Sequence, residues 1–149
     1  MREIKYQAWL HDEKKMVNVA AINLFDRFIQ YYDTTNCKDD AEIFELLREP
    51  PNADCPFERC ELMQYTGLKD RNGKLIYEGD LCQKDNVLYE VRWVENCAKF
   101  GVKVIKSDSV LIRGCTFPIQ QYLKDGSLEC VLEVIGNIYE NLEMLEVEK

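Results

Sequence analysis

The chain of 149 residues has a single histidine, His11. Mechanisms that need a histidine pair are therefore excluded, and a cysteine nucleophile would have to recruit His11 itself as its base. No Walker phosphate loop, Rossmann glycine pattern, Gly-x-Ser-x-Gly or His-Glu-x-x-His motif occurs. No apolar run approaches the ~20 residues needed to span a bilayer. The opening Met1-Arg2-Glu3-Ile4-Lys5-Tyr6 lacks the apolar core of a signal peptide. The expectation is a cytoplasmic protein with no membrane partner and no cofactor. Proline is also scarce, and Pro50, Pro51 and Pro56 fall in one stretch, which marks that stretch as irregular.

Seven cysteines are present, an odd number in a chain without an export signal, so reduced thiols are expected. Cys55 and Cys60 have a spacing that some zinc ligands show, but no second close pair accompanies them. Buried thiols are the plainer reading, because cysteine packs well as a small core residue.

The net charge is -8. The acid lies mainly in residues 21–60 and 129–149, each with a net of -5, while the rest of the chain is slightly basic. An acidic chain repels phosphate backbones, so nucleic acid is a disfavoured partner.

One domain is expected at this length. Its parts are an N-terminal hairpin (1–19), a partly helical insertion (20–60), a β core (61–141) and an acidic tail (142–149). In the hairpin, residues 2–9 alternate as a strand, His11 to Lys15 turn, and Met16 to Val19 return. Phe25, Phe28, Ile29 and Tyr32 fit either a helix face or a buried strand. Asp40 would cap a helix from 41 to 48 with Ile43, Leu46 and Leu47 inward, and 51–60 reads as a loop.

The densest turn chemistry lies from Leu62 to Asp80. Gly67 invites a bulge, Asn72-Gly73 tolerates positive φ at both central positions of a turn, and Glu78-Gly79-Asp80 is a second tight turn. Strands then follow at short intervals. Leu81 to Lys84 turns at Asp85-Asn86 into Val87 to Val94, where Val87, Tyr89, Val91 and Trp93 share a face. Phe100 to Lys106 points Phe100, Val102 and Val104 inward. Ser109 to Arg113 reads as a short strand, and 114–127 as a loop. Leu128 to Ile135 is a strand with Leu128, Cys130, Leu132 and Val134 on one face. Gly136-Asn137 turns into Ile138-Tyr139, and a helical turn runs from Asn141 to Leu145. The fold class is mainly β (a β-rich α+β protein): a small, strongly bent antiparallel barrel, SH3-like in size.

The chain resembles the YopX family, small proteins found mostly in phages and prophages of bacteria. Three blocks carry the resemblance: Arg2 to Trp9 followed by Lys14-Lys15-Met16, the Gln-Tyr-Thr-Gly-Leu-Lys-Asp, Asn-Gly-Lys and Ile-Tyr-Glu-Gly-Asp units within 62–80, and Val134 to Asn141. Leu142 stands where the family commonly has proline. The resemblance implies a phage-related, β-rich, cytoplasmic protein and assigns no activity.

Asp70, Glu78 and Asp80 lie close enough in sequence to suggest a metal or an acid–base pair, but tight turns also favour such acids, because Asp side chains bond backbone amides two residues on. Tyr65, Tyr77, Tyr89, Trp93, Phe100 and Tyr139 could form a stacking platform for single strands, or could be core. The candidate binding residues are Tyr65 with the basic tip of Lys69, Arg71 and Lys74. Gly67, Asn72, Gly73, Glu78, Gly79, Asp80, Gly136 and Asn137 are the structural turn residues. The expected role is a non-enzymatic binding or assembly module, acting on itself as a homo-oligomer or on a host or phage protein. The alternatives are a nucleic-acid-associated or DNA-mimicking regulator and a metal-dependent hydrolase.

Overall fold

The computed structural model describes residues 3–146. Arg2 of the expected first strand, and 147–149 of the expected acidic tail, lie outside the described residues. The chain is mainly β, with two antiparallel sheets and one α-helix among the described residues. It divides into two compact units, Lys5–Leu62 and the chain from Met63 onward together with Glu3 and Ile4. The strands of the N-terminal hairpin and the 20–60 segment therefore share one unit.

In the N-terminal unit, β1 (Tyr6–Leu10) and β2 (Lys15–Asn23) form the expected hairpin, in register from Gln7 opposite Asn18 to Leu10 opposite Lys15. The alternation buries Ala8 and Leu10. The ambiguous 25–32 stretch is a strand, β3 (Phe28–Tyr31), with Ile29 and Tyr31 buried. Phe25 lies in the preceding turn and is 94% exposed. Helix α1 (Asp40–Leu46) is capped by Asp39 rather than Asp40: the Asp39 carboxyl accepts from the Glu42 backbone N–H at 2.9 Å. Ile43 and Leu46 are half-buried, while Leu47, expected inward, is 51% exposed. Part of the expected 51–60 loop is β4 (Ala53–Pro56). This strand pairs only with β3, and an edge strand tolerates Pro56 because its missing N–H is not needed there. The strands run in the order β4-β3-β2-β1, with the start of β5 (Cys60–Lys69) beside β1.

In the C-terminal unit, β5 pairs with β6 (Leu75–Tyr77), with a register shift between Tyr65 and Lys69 that brackets Gly67, whose φ is +89°. The main sheet has five strands: β7 (Asp80–Lys84), β8 (Val87–Val94), β9 (Lys99–Lys106), β10 (Thr116–Pro118) and β11 (Glu133–Asn137), in the order β10-β9-β8-β7-β11. Its inner face carries Tyr89, Val91, Phe100, Val102 and Val104, packed with Ile76, Ile119, Cys130 and Leu132. The two-residue turn with positive φ at both positions is Asp85-Asn86, at +49° and +64°. Such a turn matches the right-handed twist of its strands. Asn72-Gly73 has positive φ only at Gly73.

The sheet is open, and the expected barrel does not close. Its two edges are β10 and β11. β10 is three residues long and ends at Pro118, and β11 is broken by a bulge between Val134 and Gly136. Neither edge offers the other a continuous ladder. Three further expectations are corrected. Ser109 to Arg113 is a turn rather than a strand. The strand expected from Leu128 starts only at Glu133, and Leu128 is exposed. Gly136 and Asn137 end β11, and the turn comes after them.

Candidate functional site

The Leu62–Asp80 block and residues 132–141 are hydrogen-bonded to each other. Asp70 is 1% exposed. One carboxyl oxygen accepts from the Asn72 and Lys74 backbone N–H groups, both at 2.8 Å. The other accepts from the Val134 N–H at 3.0 Å. The Arg71 N–H donates to the Leu132 carbonyl, and the Arg71 guanidinium lies 3.9 Å from Glu133. Gly79, at φ +86°, donates to the Val91 carbonyl and accepts from the Ile138 N–H. Asn137 accepts from the Tyr139 and Glu140 N–H groups through its side chain, and Asn141 accepts from the Asn137 N–H. These side-chain caps make the turn at 137–141.

The structure does not gather the expected binding residues into one patch. Tyr65 is buried, with its ring 5.6 Å from that of Tyr77. Lys69, Arg71 and Lys74 are exposed around the 70–74 turn, but the charge of Arg71 is matched by Glu133. Tyr77, Tyr89 and Phe100 are core residues as well, so a single-strand stacking platform has no surface there.

The acids are equally dispersed in role. Asp70 is committed to three backbone amides, and Asp80 accepts from the Tyr77 N–H at 2.8 Å. Glu78 lines a pocket away from both of them. Among the described residues no group of three or more His, Cys, Asp or Glu could hold a metal ion. Cys55 and Cys60 are thus two thiols without the further ligands that zinc needs. Burial first, then its neighbour Cys55, pushes the Cys60 thiol up to about 12. Cys82 and Cys130 are buried as expected, whereas Cys97 and Cys115 are exposed.

Asp80 is 7% exposed, and burial pushes its carboxyl up to about 7. The Tyr77 N–H and Lys74 pull against that rise, and Asp70 and Glu140 add to it. The folded state therefore holds a proton that the unfolded chain releases near its ordinary value of 3.8. The associated stability is fully present below that value and is lost as pH rises to about 7. Asp80→Asn keeps an acceptor for Tyr77 and has no charge to desolvate. Its unfolding free energy, set against that of the native chain at pH 4 and pH 8, should show a relative gain on the order of 3 kcal/mol at the higher pH. Parallel pH profiles would show that Asp80 is not the titrating group.

Sequence reasoning missed a pocket of about 260 Å3 lined by Gln64, Glu78, Trp93 and Phe100. Trp93 and Phe100 face each other across the β8–β9 ladder, with ring centroids 5.1 Å apart and planes at 75°. Trp93 shares a strand face with Tyr89 and Val91. It stands one rung from the strand end, where the core has run out, and is 42% exposed. Phe100 beneath it is buried. Glu78 is fixed at the turn by its N–H, which donates to the Gln64 carbonyl at 2.9 Å. The Glu78 side chain is half-buried, and among the described residues it has no ion-pair partner. The available signals were a tryptophan at a strand end and an acid in a turn, but nothing local joins them.

The sequence model of one protein family, described as YopX protein, matches residues 5–146. A crystal structure of protein EF1440 from Enterococcus faecalis is similar over 98% of this chain and 100% of that chain, with a TM-score of 0.53 and 23% identity, a likeness of fold. None of the curated proteins matches the chain.

Proposed function

The chain belongs to the YopX family, and on that premise we propose that it is a non-enzymatic binding or assembly module whose docking point is the pocket of Gln64, Glu78, Trp93 and Phe100. One observation carries this reading: a half-exposed tryptophan and an unpaired carboxylate are held together on hydrogen-bonded turns and strand ends. Aromatic anchors in rigid, partly dry pockets are where binding energy concentrates. Asp70, by contrast, spends both carboxyl oxygens on backbone amides, and one oxygen of Asp80 accepts from the Tyr77 N–H. In this proposal the protein works in the cytoplasm of a bacterial host, in a phage or prophage setting. Its partner is a second copy of the chain or a host or phage protein. No helix among the described residues is long and apolar enough to cross a membrane.

A photo-crosslinking aromatic amino acid (a benzoyl-phenylalanine), which keeps a ring in the place of Trp93, tests the docking point. A discrete adduct should form there in host cells, and should be absent when the same group replaces Lys103 on the other face of the sheet. Light scattering of the purified chain then tells whether the adduct partner is another copy. No adduct at 93, or equal adducts at 93 and 103, would remove the pocket from the function. Gel shifts with DNA or RNA at low salt should show no binding, given the net charge of -8. A shift abolished by replacing Lys69, Arg71 and Lys74 would instead move the function to the basic tip.

A further inference from the structure

We infer that the pocket takes a guanidinium group, the head of an arginine side chain on the partner. The inference rests on the pocket being the docking point, and it adds the chemistry of what enters. Three features of the lining converge on a planar cation.

The first is the aromatic pair. Trp93 presents ring surface to the pocket, and Phe100 backs it edge-on. An indole attracts cations through its quadrupole more strongly than any other side chain, and arginine is the commoner natural occupant of such sites. The second is Glu78. A half-buried carboxylate with no ion-pair partner has surrendered part of its hydration without compensation. A guanidinium would supply two parallel N–H donors to its oxygens, while its plane stacks on the indole. The third is Gln64, whose side-chain carbonyl can accept from one of the remaining N–H groups.

The same features select against other ligands. An anion would meet Glu78 in a chain that already carries -8. A neutral apolar side chain would stack on Trp93 but leave the carboxylate unpaired in a drier site. An ammonium would pair with Glu78, yet it is more strongly hydrated and cannot make the fork or stack its plane. A volume of about 260 Å3 suits one side-chain head better than a larger ligand.

The test uses the full chain carrying Trp9→Phe, so that Trp93 is the remaining tryptophan, with its fluorescence read during titration. The probes are Nα-acetyl-arginine methylamide, the corresponding lysine compound, and the citrulline compound, which is a neutral isostere of arginine. Arginine should give saturable quenching in the millimolar range. Citrulline should bind at least about tenfold more weakly, the equivalent of one well-placed charge-assisted contact of ~1.4 kcal/mol. Glu78→Gln should weaken arginine binding by a similar factor and narrow its lead over citrulline. If Trp9→Phe does not fold, the indole N–H resonance of Trp93 in the unaltered chain gives the same readout.

Equal binding of arginine and citrulline, or no saturation by tens of millimolar, overturns the inference, as does arginine binding that Glu78→Gln leaves unchanged. The two readings fail separately. A position-93 adduct that persists while arginine fails to bind keeps the docking point and removes the cation. Arginine binding without any adduct does the reverse.

Discussion

Asp70→Ala is expected to cost about 4–6 kcal/mol of folding stability, a large share of the ~5–15 kcal/mol that holds a domain together. The reason is the number of amides that depend on one carboxyl. Asn72, Lys74 and Val134 each donate to it, and the Asp70 side chain is almost fully enclosed. Removing it leaves three donors without their acceptor. Water can reach the 72 and 74 amides in the exposed turn more easily than the Val134 amide, where the residue is buried. Asp70→Asn separates the two halves of the effect. Its carbonyl oxygen can still accept from Asn72 and Lys74, but its NH2 would then face the Val134 N–H, donor against donor. Urea unfolding should place Asp70→Asn roughly midway between native and alanine. Hydrogen exchange should show lost protection at Val134 with the 70–74 turn retained. An alanine variant within about 1 kcal/mol of native would mean that these bonds do not hold the scaffold in solution.

Gly79→Val is expected to cost about 4 kcal/mol or more through two separate penalties. At φ +86° a β-branched residue is strained wherever it stands. The new side chain also meets matter: a Cβ at Gly79 would lie 3.3 Å from Met63 Sδ and 3.6 Å from Ile138 Cγ1 before the valine methyls are added. Movement of the turn to relieve either contact would pull on the bonds to Val91 and Ile138. Gly79→Ala carries the strain with less crowding and should fall between native and valine. Thermal unfolding of the pair tests both penalties. A valine variant with an unchanged midpoint would show that residue 79 does not hold a left-handed conformation.

Elements specified by short-range pattern were legible in the sequence. Alternation marked β1, β8 and β9, and Asp85-Asn86 was read as the turn it is. The tight turns of the block from Leu62 to Asp80 were legible too: Gly73 and Gly79 hold positive φ there, and Asp70 and Asp80 accept from backbone N–H groups. Errors came where a partner strand decides. Residues 28–31 became a strand because β2 and β4 flank them, which no local period could say. β4 and β10 were hidden behind Pro56 and Pro118, which an edge position tolerates. Barrel closure depends on whether two distant edges meet, and β10 and β11 do not. The pocket was invisible for the same reason. Glu78 read as a turn residue, and Trp93 and Phe100 as core. Only the β8–β9 register and the Glu78–Gln64 bond bring them together.

The position of β11 has a consequence for the order in which the chain can fold. It is the last strand, yet it pairs with β7, the first strand of its sheet, and it delivers to Asp70 an amide from 64 residues away. β7, β8 and β9 can zip as successive hairpins while the chain is still being made. The outer edge of β7 and one oxygen of Asp70 then wait for residues 133–137 to leave the ribosome. Loop-closure entropy must be met before that late contact repays it, so this unit acquires its full stability only once residues 133–137 have emerged. Within Lys5–Leu62 the β1–β2 and β2–β3 pairings join near neighbours, while β3 with β4, and β1 with the start of β5, close longer loops. Through that interval a bare strand edge is open to pairing with another chain, which makes β7 the point where folding and aggregation compete.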